Sequence, residues 1–210
     1  NSAHITDLIN AAIAEVADSV PPELLLKYAV DPQVLNTSDT AWDGVEGKKI
    51  LLVTRKDGTS GIHRTCGLVG IPAFEQASDT DSIYKATEHS PVFCLTTDGG
   101  TTELSILPLP NNDEPANIYY FAYPTAALVD STHTALGNLG IPAQLLHAIA
   151  LRTATTMLQA YLSDAIQDDE DQEIVAMLQA QIGSLASQYG AEMLRFTQGT
   201  FTQGEGDDSA

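Results

Sequence analysis

The sequence predicts an α+β protein, in which an N-terminal helix and a helical hairpin form the body and a small antiparallel β domain is inserted between them. Residues 4–19 carry apolar side chains at helical spacing, and residues 142–196 do so over two longer stretches. Residues 48–124 instead alternate strand-like runs with turn residues. We therefore expect helices and a loop over 1–47, the β domain over 48–124, the hairpin over 125–196 packed on 1–47, and a flexible tail over 197–210.

The first segment reads as two helices followed by a loop. In "HITDLINAAIAEVADS" the apolar residues recur at three- and four-residue intervals, which is typical of an amphipathic helix. Pro21 and Pro22 end it, and "PELLLKYA" starts a shorter helix with Pro22 in its first turn. Asp31-Pro32 stops that helix, and residues 36–47 are loop-like around Trp42.

The middle of the chain changes to strand patterns and predicts about five strands in a sheet or barrel. The stretch "KKILLVTRKDGTSG" is a strand that runs into an Asp-Gly turn, and "IHRTCGLVG" is a plausible partner. "PVFCLTTDGGTTELSILPLP" predicts a hairpin around Asp98-Gly99-Gly100, and "ANIYYFAYP" adds a further strand. Residues 71–90 show only short, irregular pieces.

Two long helices joined by an acidic turn are predicted at the end. "PAQLLHAIALRTATTMLQAYLSDAI" starts at a proline and has a broad apolar side, and "EIVAMLQAQIGSLASQYGAEMLRF" has a single apolar stripe. The turn contains four consecutive acids: Asp168, Asp169, Glu170 and Asp171. One or two of them suffice to cap the second helix, so the surplus predicts an exposed acidic tip. The acids are contiguous and lack a glycine, which disfavours a calcium loop.

The charge balance excludes one large class of partner. The chain has 28 acids against 9 bases and a formal net charge of -19. Binding nucleic acid through its phosphates requires clustered Lys and Arg. We therefore expect no such binding by this acidic chain. The sequence has neither a run of about 20 apolar residues nor a signal-peptide pattern, and we expect a soluble protein made inside the cell.

The residues that could carry chemistry lack the spacing for it. The five histidines show no metalloprotease pattern, and His147 is expected to be a surface or packing residue. Cys66 and Cys94 lie in apolar runs and predict two buried thiols. The Gly-rich turn at 98–100 precedes a strand, whereas a phosphate site needs a helix there. Asp79, Asp81 and Glu88 could hold a cation, but a capped turn is the favoured interpretation. We expect no enzyme activity, no metal and no cofactor.

The order of segments resembles the head-to-tail adaptors of tailed bacteriophages. The resemblance lies in "DSIYKATEHSPVFCL", "ELSILPLPNN", "IYYFAYPT", "IPAQLLHAIALRTATTMLQAYL" and "LQAQIGSLASQYGAEM", which together span most of residues 79–196. In this family a strand–turn–strand precedes a proline-started helix and a Gln-rich return helix. The layout is also similar to that of the podovirus tail tubular A proteins. No single motif is diagnostic, and the high acidity and short Gly-rich tail depart from the family.

The resemblance implies a structural virion protein in the neck, made in the host cytoplasm, that forms a twelve-fold ring between the portal and a downstream tail protein. DNA would pass through the ring without specific binding, along a wall or tip that includes residues 168–171. A C-terminal extension would dock onto the portal through Arg195, Phe196, Phe201 and Gln203. The helical hairpins would form the ring body, with an interface drawn from Leu145, Ile149, Met157, Leu178, Ile182, Leu185 and Tyr189.

Several alternatives remain open at this point. Within the same class, the chain could be a stopper, a tail-completion protein or a capsid-accessory protein. From another class, it could be a ligand- or carbohydrate-binding β module with a stacking platform made of Trp42, Tyr119, Tyr120 and Tyr123. A metal-dependent hydrolase built from scattered acids and histidines is a third alternative, although no residues have the required spacing.

Overall fold

The computed structural model describes residues 2–29, 31–36, 41–58, 60–124, 128–129, 132–133, 141, 143–167 and 172–198. The chain divides into two compact units: Asn1–Leu24 with Tyr123–Ala210, and Leu25–Ala122. We call them the helical unit and the β unit. The predicted α+β class with an N-terminal helix is confirmed. None of the helices in the described ranges is both long and apolar enough to cross a membrane.

The elements in chain order are α1 (Ser2–Ser19), α2 (Pro22–Leu25), a 3-10 turn (Leu26–Tyr28), β1 (Gln33–Leu35), β2 (Ala41–Trp42), β3 (Lys48–Lys56), β4 (His63–Thr65), β5 (Gly67–Leu68), α3 (Ile71–Ser78), β6 (Val92–Asp98), β7 (Thr101–Leu107), β8 (Ala116–Ala122), β9 (Leu128–Val129), β10 (Thr132–His133), α4 (Ala143–Gln167) and α5 (Gln172–Gln198). Both long helices of the predicted hairpin are present, and they end and begin next to the acidic residues 168–171, which lie outside the described ranges.

The core of the helical unit forms where α4 packs against both α1 and α5. Buried side chains of α1 recur at three- to four-residue spacing, as the apolar periodicity predicts. The buried apolar residues of the three helices are Ala12, Ile13, Val16, Ala17, Leu145, Ala148, Ile149, Leu151 and Leu178. Thr153 and Thr155 are also buried on α4, and their hydroxyls donate to the carbonyls of Ile149 and Leu151, each at 2.8 Å. These bonds satisfy the polar groups inside the core.

The β unit contains two four-stranded sheets, and the chain passes between them. The first has the order β1-β8-β3-β4 and the second β2-β7-β6-β5. All pairs are antiparallel except β5 with β6. The chain leaves the first sheet at Thr65 and joins the second at Gly67, so Cys66 marks a corner between the sheets. The inner faces share one apolar core: Leu35, Val45, Val53, Cys66, Leu104, Ile106, Ala116 and Ile118.

The β unit differs from its predicted outline in three ways. It begins at Leu25 rather than at residue 48, because β1 pairs with β8 and β2 pairs with β7. Its described residues form eight short strands, six of them within 48–124, where about five were predicted, because the predicted partner strand of β3 splits into β4 and β5. Residues 71–78 form the helix α3, whose proline lies in the first turn where no helical N–H bond is needed. The hairpin of β6 and β7 is present, with positive φ at Gly99 and Gly100.

Candidate functional site

The residues predicted to join neighbouring subunits have three different environments. Leu145, Ile149 and Leu178 are buried inside the chain, because they form the packing of α4 against α1 and α5. They are therefore not available to a neighbouring copy, and this part of the prediction needs correction. Ile182, Leu185 and Tyr189 are half-buried, whereas Met157 is exposed. The sequence showed that these positions are apolar but could not show which were already covered.

A different set of apolar residues of the hairpin is exposed. We call Met157, Tyr161, Ile174 and Met177 the hairpin surface, whereas Ile166 is also exposed but lies on the opposite side of α4 from Met157. Met157 and Tyr161 are one turn apart on α4, and Ile174 and Met177 are three residues apart on α5, so each pair is adjacent on its helix. These residues lie in the half of the hairpin nearest to residues 168–171. A concentration of exposed large apolar side chains marks an interaction surface more often than a random scatter does.

The predicted docking tail and acidic tip lie mostly outside the described residues. This holds for Asp168, Asp169, Glu170, Asp171, Phe201 and Gln203. Arg195 and Phe196 lie in the last turns of α5, where Arg195 Nη1 donates to Glu192 Oε2 at 3.0 Å. Glu192 Oε1 is also 3.7 Å from Nε2 of His147 on α4. Arg195 and His147 therefore flank one carboxylate at the edge of a shallow cavity of about 290 Å³.

A buried carboxylate that no sequence pattern indicated connects three segments of the β unit. Asp57 directly follows β3 and is completely buried. Its Oδ2 accepts from Arg64 Nε at 2.9 Å and contacts His89 Nδ1 at 3.0 Å, and its Oδ1 accepts from the Ser60 backbone N–H at 3.2 Å. Three segments are thus tied to one side chain. The Asp-Gly turn suggested only a hairpin, because the partners of Asp57 are up to 32 residues away.

An arginine buried nearby has the complementary arrangement. The Arg55 side chain donates to the carbonyls of Pro108 and Leu109 at 2.9 and 3.4 Å and pairs with Glu114 at 2.5 Å. Glu114 in turn accepts from Asn111 Nδ2 at 3.3 Å. This network lines a cavity of about 520 Å³ that His89 also borders. A buried charge is tolerated only when it is paired and hydrogen-bonded, which these contacts achieve.

Within the described residues, the two networks do not include a nucleophile positioned for activation by His89. A His backed by a buried carboxylate could act as a general base. However, no hydroxyl or thiol hydrogen-bonds to His89 among the residues described, so a nucleophile for it to activate is missing. Across the same residues, no group of three His, Cys, Asp or Glu side chains could hold a metal ion. The arrangement instead holds the turn after β3, β4 and the loop before β6 together.

The candidate cation residues form a local turn. Asp79 Oδ1 accepts from the backbone N–H of Asp81 at 3.0 Å, and the Asp79 carbonyl accepts from Ser82 N–H at 3.2 Å. Glu88 instead borders the cavity beside Arg55. This is the capped turn that the sequence favoured.

The four aromatic residues considered as a stacking platform do not act together. Trp42 packs on the core of the β unit, and its ring is 5.4 Å from that of Tyr120 at an angle of 40°. Lys48 Nζ lies 5.2 Å from the Trp42 ring and 5.5 Å from the Tyr120 ring. Tyr119 directly precedes Tyr120 on β8, whereas Tyr123 belongs to the helical unit. Lys48 therefore occupies a cation–π position at both rings.

The prediction of two buried thiols is confirmed. Cys66 and Cys94 are free and buried in the β unit. Burial raises the pKa of Cys66 from 9.0 to about 12, although the charge of Arg55 opposes this shift. Burial also raises the pKa of Cys94. Because the thiolate is the reactive form, both cysteines are poor nucleophiles at neutral pH.

Comparison with protein-family models, with curated proteins and with solved structures found no match.

Proposed function

We propose that this chain is a structural virion protein, a head-to-tail adaptor of a tailed phage that assembles as a ring around the DNA channel. The observation that carries the proposal is the hairpin surface, on which Met177 is 61 % and Tyr161 is 52 % exposed. A cyclic ring repeats one heterologous contact, and such a contact buries apolar residues that a single copy leaves in water. We propose that a second copy of this chain covers the hairpin surface.

The division of charge between the two units supports a role next to DNA. The helical unit has fifteen acids and only two bases, Arg152 and Arg195, whereas seven of the nine bases lie in the β unit. A wall of this charge repels phosphates, so DNA could slide past it without being held. Repulsion between copies opposes assembly, and burial of the hairpin surface would have to offset it. Assembly should accordingly be favoured by salt, which screens this repulsion.

The proposed partners follow from the same assignment. The portal would contact one side of the ring, through a segment that includes Arg195, Phe196, Phe201 and Gln203, and a tail protein would contact the other. The mature location would be the virion neck, after assembly in the host cytoplasm. The proposal includes no enzyme activity, metal or cofactor.

Mass photometry and negative-stain microscopy of the full chain test the proposal. The expected result is a closed ring with a central hole, at a higher yield in 0.5 M than in 0.05 M salt because the Debye length falls from roughly 14 to about 4 Å. A chain that remains monomeric at every salt and protein concentration, with or without added portal protein, would overturn the proposal.

Matched substitutions on α5 test the surface itself. We expect Met177→Glu to abolish or strongly weaken the assembly, because it places a charge in the buried contact. Gln179→Glu adds the same charge at an exposed position on the opposite side of α5 and should leave the assembly unchanged. Equal behaviour of the two variants would exclude the hairpin surface as the contact.

A further inference from the structure

The β unit has an open apolar slot in its wall. The slot has a volume of about 360 Å³ and is lined mainly by apolar side chains. We define it by Ile50, Leu52, Leu68, Phe93 and Leu95, with Lys48 at its edge. Leu68 is 65 % exposed and Leu95 is also exposed. The volume is within the range of roughly 300–1,000 Å³ that is usual for ligand pockets.

The slot exists because the two sheets separate there. β4 pairs with β3 only at Thr54, Arg55 and Lys56, and after Cys66 the chain turns away to pair β5 with β6. The first half of β3 is therefore bordered by a named strand only on its β8 side, within the described part of the unit. A register shift between Ile50 and Leu52 further distorts β3 at this point.

A protruding apolar pair lies elsewhere on the same unit. Ile83 is 90 % and Tyr84 is 69 % exposed, in the loop between α3 and β6. The loop is ordered by its own hydrogen bonds: Tyr84 N–H to Ser82 Oγ at 3.1 Å, Lys85 N–H to the Ser82 carbonyl at 3.2 Å, and Ala86 N–H to the Ala77 carbonyl at 2.9 Å. A pre-ordered loop loses little conformational entropy on binding, which favours a role as an anchor. We call this pair the finger.

We infer that the finger of one copy inserts into the slot of the next copy. Ile83 and Tyr84 are not among the residues that line the slot, so a copy does not fill its own. A protrusion and a depression at different places on one molecule form a heterologous contact, which is the type that rings require. Aromatic residues inserted into apolar pockets are common anchors of protein interfaces.

The charges around the two features are complementary. Lys48 is the only charged residue that lines the slot within the described part of the chain, and it is basic. The finger is preceded by two exposed carboxylates, those of Asp79 and Asp81, and followed by one exposed base, Lys85, so the acidic charge around it is in excess by one. Complementary charges fix the orientation of a contact more than they add affinity. The inference requires only that copies associate, so it does not depend on a place in the virion.

Disulfide trapping between full-length copies tests the inference. A mixture of the Tyr84→Cys and Leu68→Cys variants should form a covalent heterodimer under mild oxidation. The matched control replaces Leu68→Cys by Ile62→Cys, an exposed apolar position of the β unit outside the slot. We expect at least about tenfold more heterodimer in the first mixture, because a docked pair has a high effective concentration. Cys66 also lines the slot, so a mixture of Tyr84→Cys with the unmodified chain measures the background from the native thiols.

The pattern of disulfide links between copies distinguishes a finger-to-slot contact from other contacts. A chain that carries both Tyr84→Cys and Leu68→Cys should give a ladder of covalent multimers, since each copy then has one cysteine on its finger and one in its slot. An intramolecular link, or equal yields in the two mixtures, would overturn the inference. If trapping fails while Met177→Glu still disrupts a ring, only the finger contact is wrong. If trapping succeeds without a closed ring, the finger contact stands and the proposed ring fails.

Discussion

Arg152 on α4 donates from Nε to Oε2 of Glu15 on α1 at 2.7 Å. Its guanidinium also lies 6.0 Å from the centroid of the Tyr189 ring on α5. One side chain therefore connects all three long helices of the helical unit. Arg152 is the only Lys or Arg between Lys85 and Arg195 in the sequence.

Replacing Arg152 should loosen this three-helix contact. Both side chains of the ion pair are partly exposed, so we expect Arg152→Met to lower the free energy of unfolding by only about 1 kcal/mol, including the cation–π contact. Urea unfolding followed by circular dichroism measures this. Arg195→Met removes an exposed pair within α5 and serves as the control, with an expected change below about 0.5 kcal/mol. Additive effects of Arg152→Met and Glu15→Gln in a double-mutant cycle would show that the pair is uncoupled.

The buried carboxylate of Asp57 should be the most sensitive polar position of the β unit. Asp57→Ala leaves Arg64, His89 and the Ser60 N–H without their acceptor, and we expect a loss of about 3 kcal/mol in the free energy of unfolding. Asp57→Asn keeps one acceptor oxygen and should cost less. Asp113→Ala, at an exposed position, should change stability by less than about 0.5 kcal/mol. Similar unfolding midpoints for Asp57→Ala and Asp113→Ala would contradict the network.

Tyr123 should make the helical unit sensitive to alkaline pH. Its hydroxyl donates to Asp18 Oδ1, and burial, this hydrogen bond and the Asp18 charge together raise the pKa of Tyr123 above 10.0. The folded state then holds the proton more tightly than the unfolded state, so the contribution is complete below pH 10 and decreases above it. We expect Tyr123→Phe to cost about 1 kcal/mol at pH 7. The difference between wild type and variant should narrow above pH 10, and a difference independent of pH would refute the linkage.

The thiol of Cys66 should also make the stability of the folded protein fall at alkaline pH, beginning at a lower pH than for Tyr123. Because burial raises its pKa from 9.0 to about 12, the folded protein retains the thiol proton where the unfolded chain has lost it. Stability should therefore fall as the pH rises from 9 towards 12, and Cys66→Ala should flatten that slope. The absolute stability of the variant is not the measure, since a cavity also lowers it.

A thiol reagent at pH 8 should label neither cysteine in the folded chain and both in urea. Rapid labelling of the folded protein would show that the corner at Cys66 opens.

Local sequence patterns were sufficient for the elements whose partners are close in the chain. The apolar spacing of residues 4–19 and 142–196 predicted α1, α4 and α5, because one face of a helix is specified by residues three and four apart. The glycines after Asp98 predicted the β6–β7 hairpin, since that turn needs positive φ.

The tertiary structure alone decided which surfaces remain for partners. Periodicity identified Leu145, Ile149 and Leu178 as apolar, but only the packing of α1 and α5 on α4 shows that they are covered within the chain. The corner at Cys66, the pairing of β1 with β8 and the contacts of Asp57 join residues distant in sequence, which no local pattern encodes. Apolar residues show the same sequence periodicity whether they pack within their own chain or against a neighbouring copy. The chain's own tertiary contacts therefore determine which apolar residues form the hairpin surface, the slot and the finger.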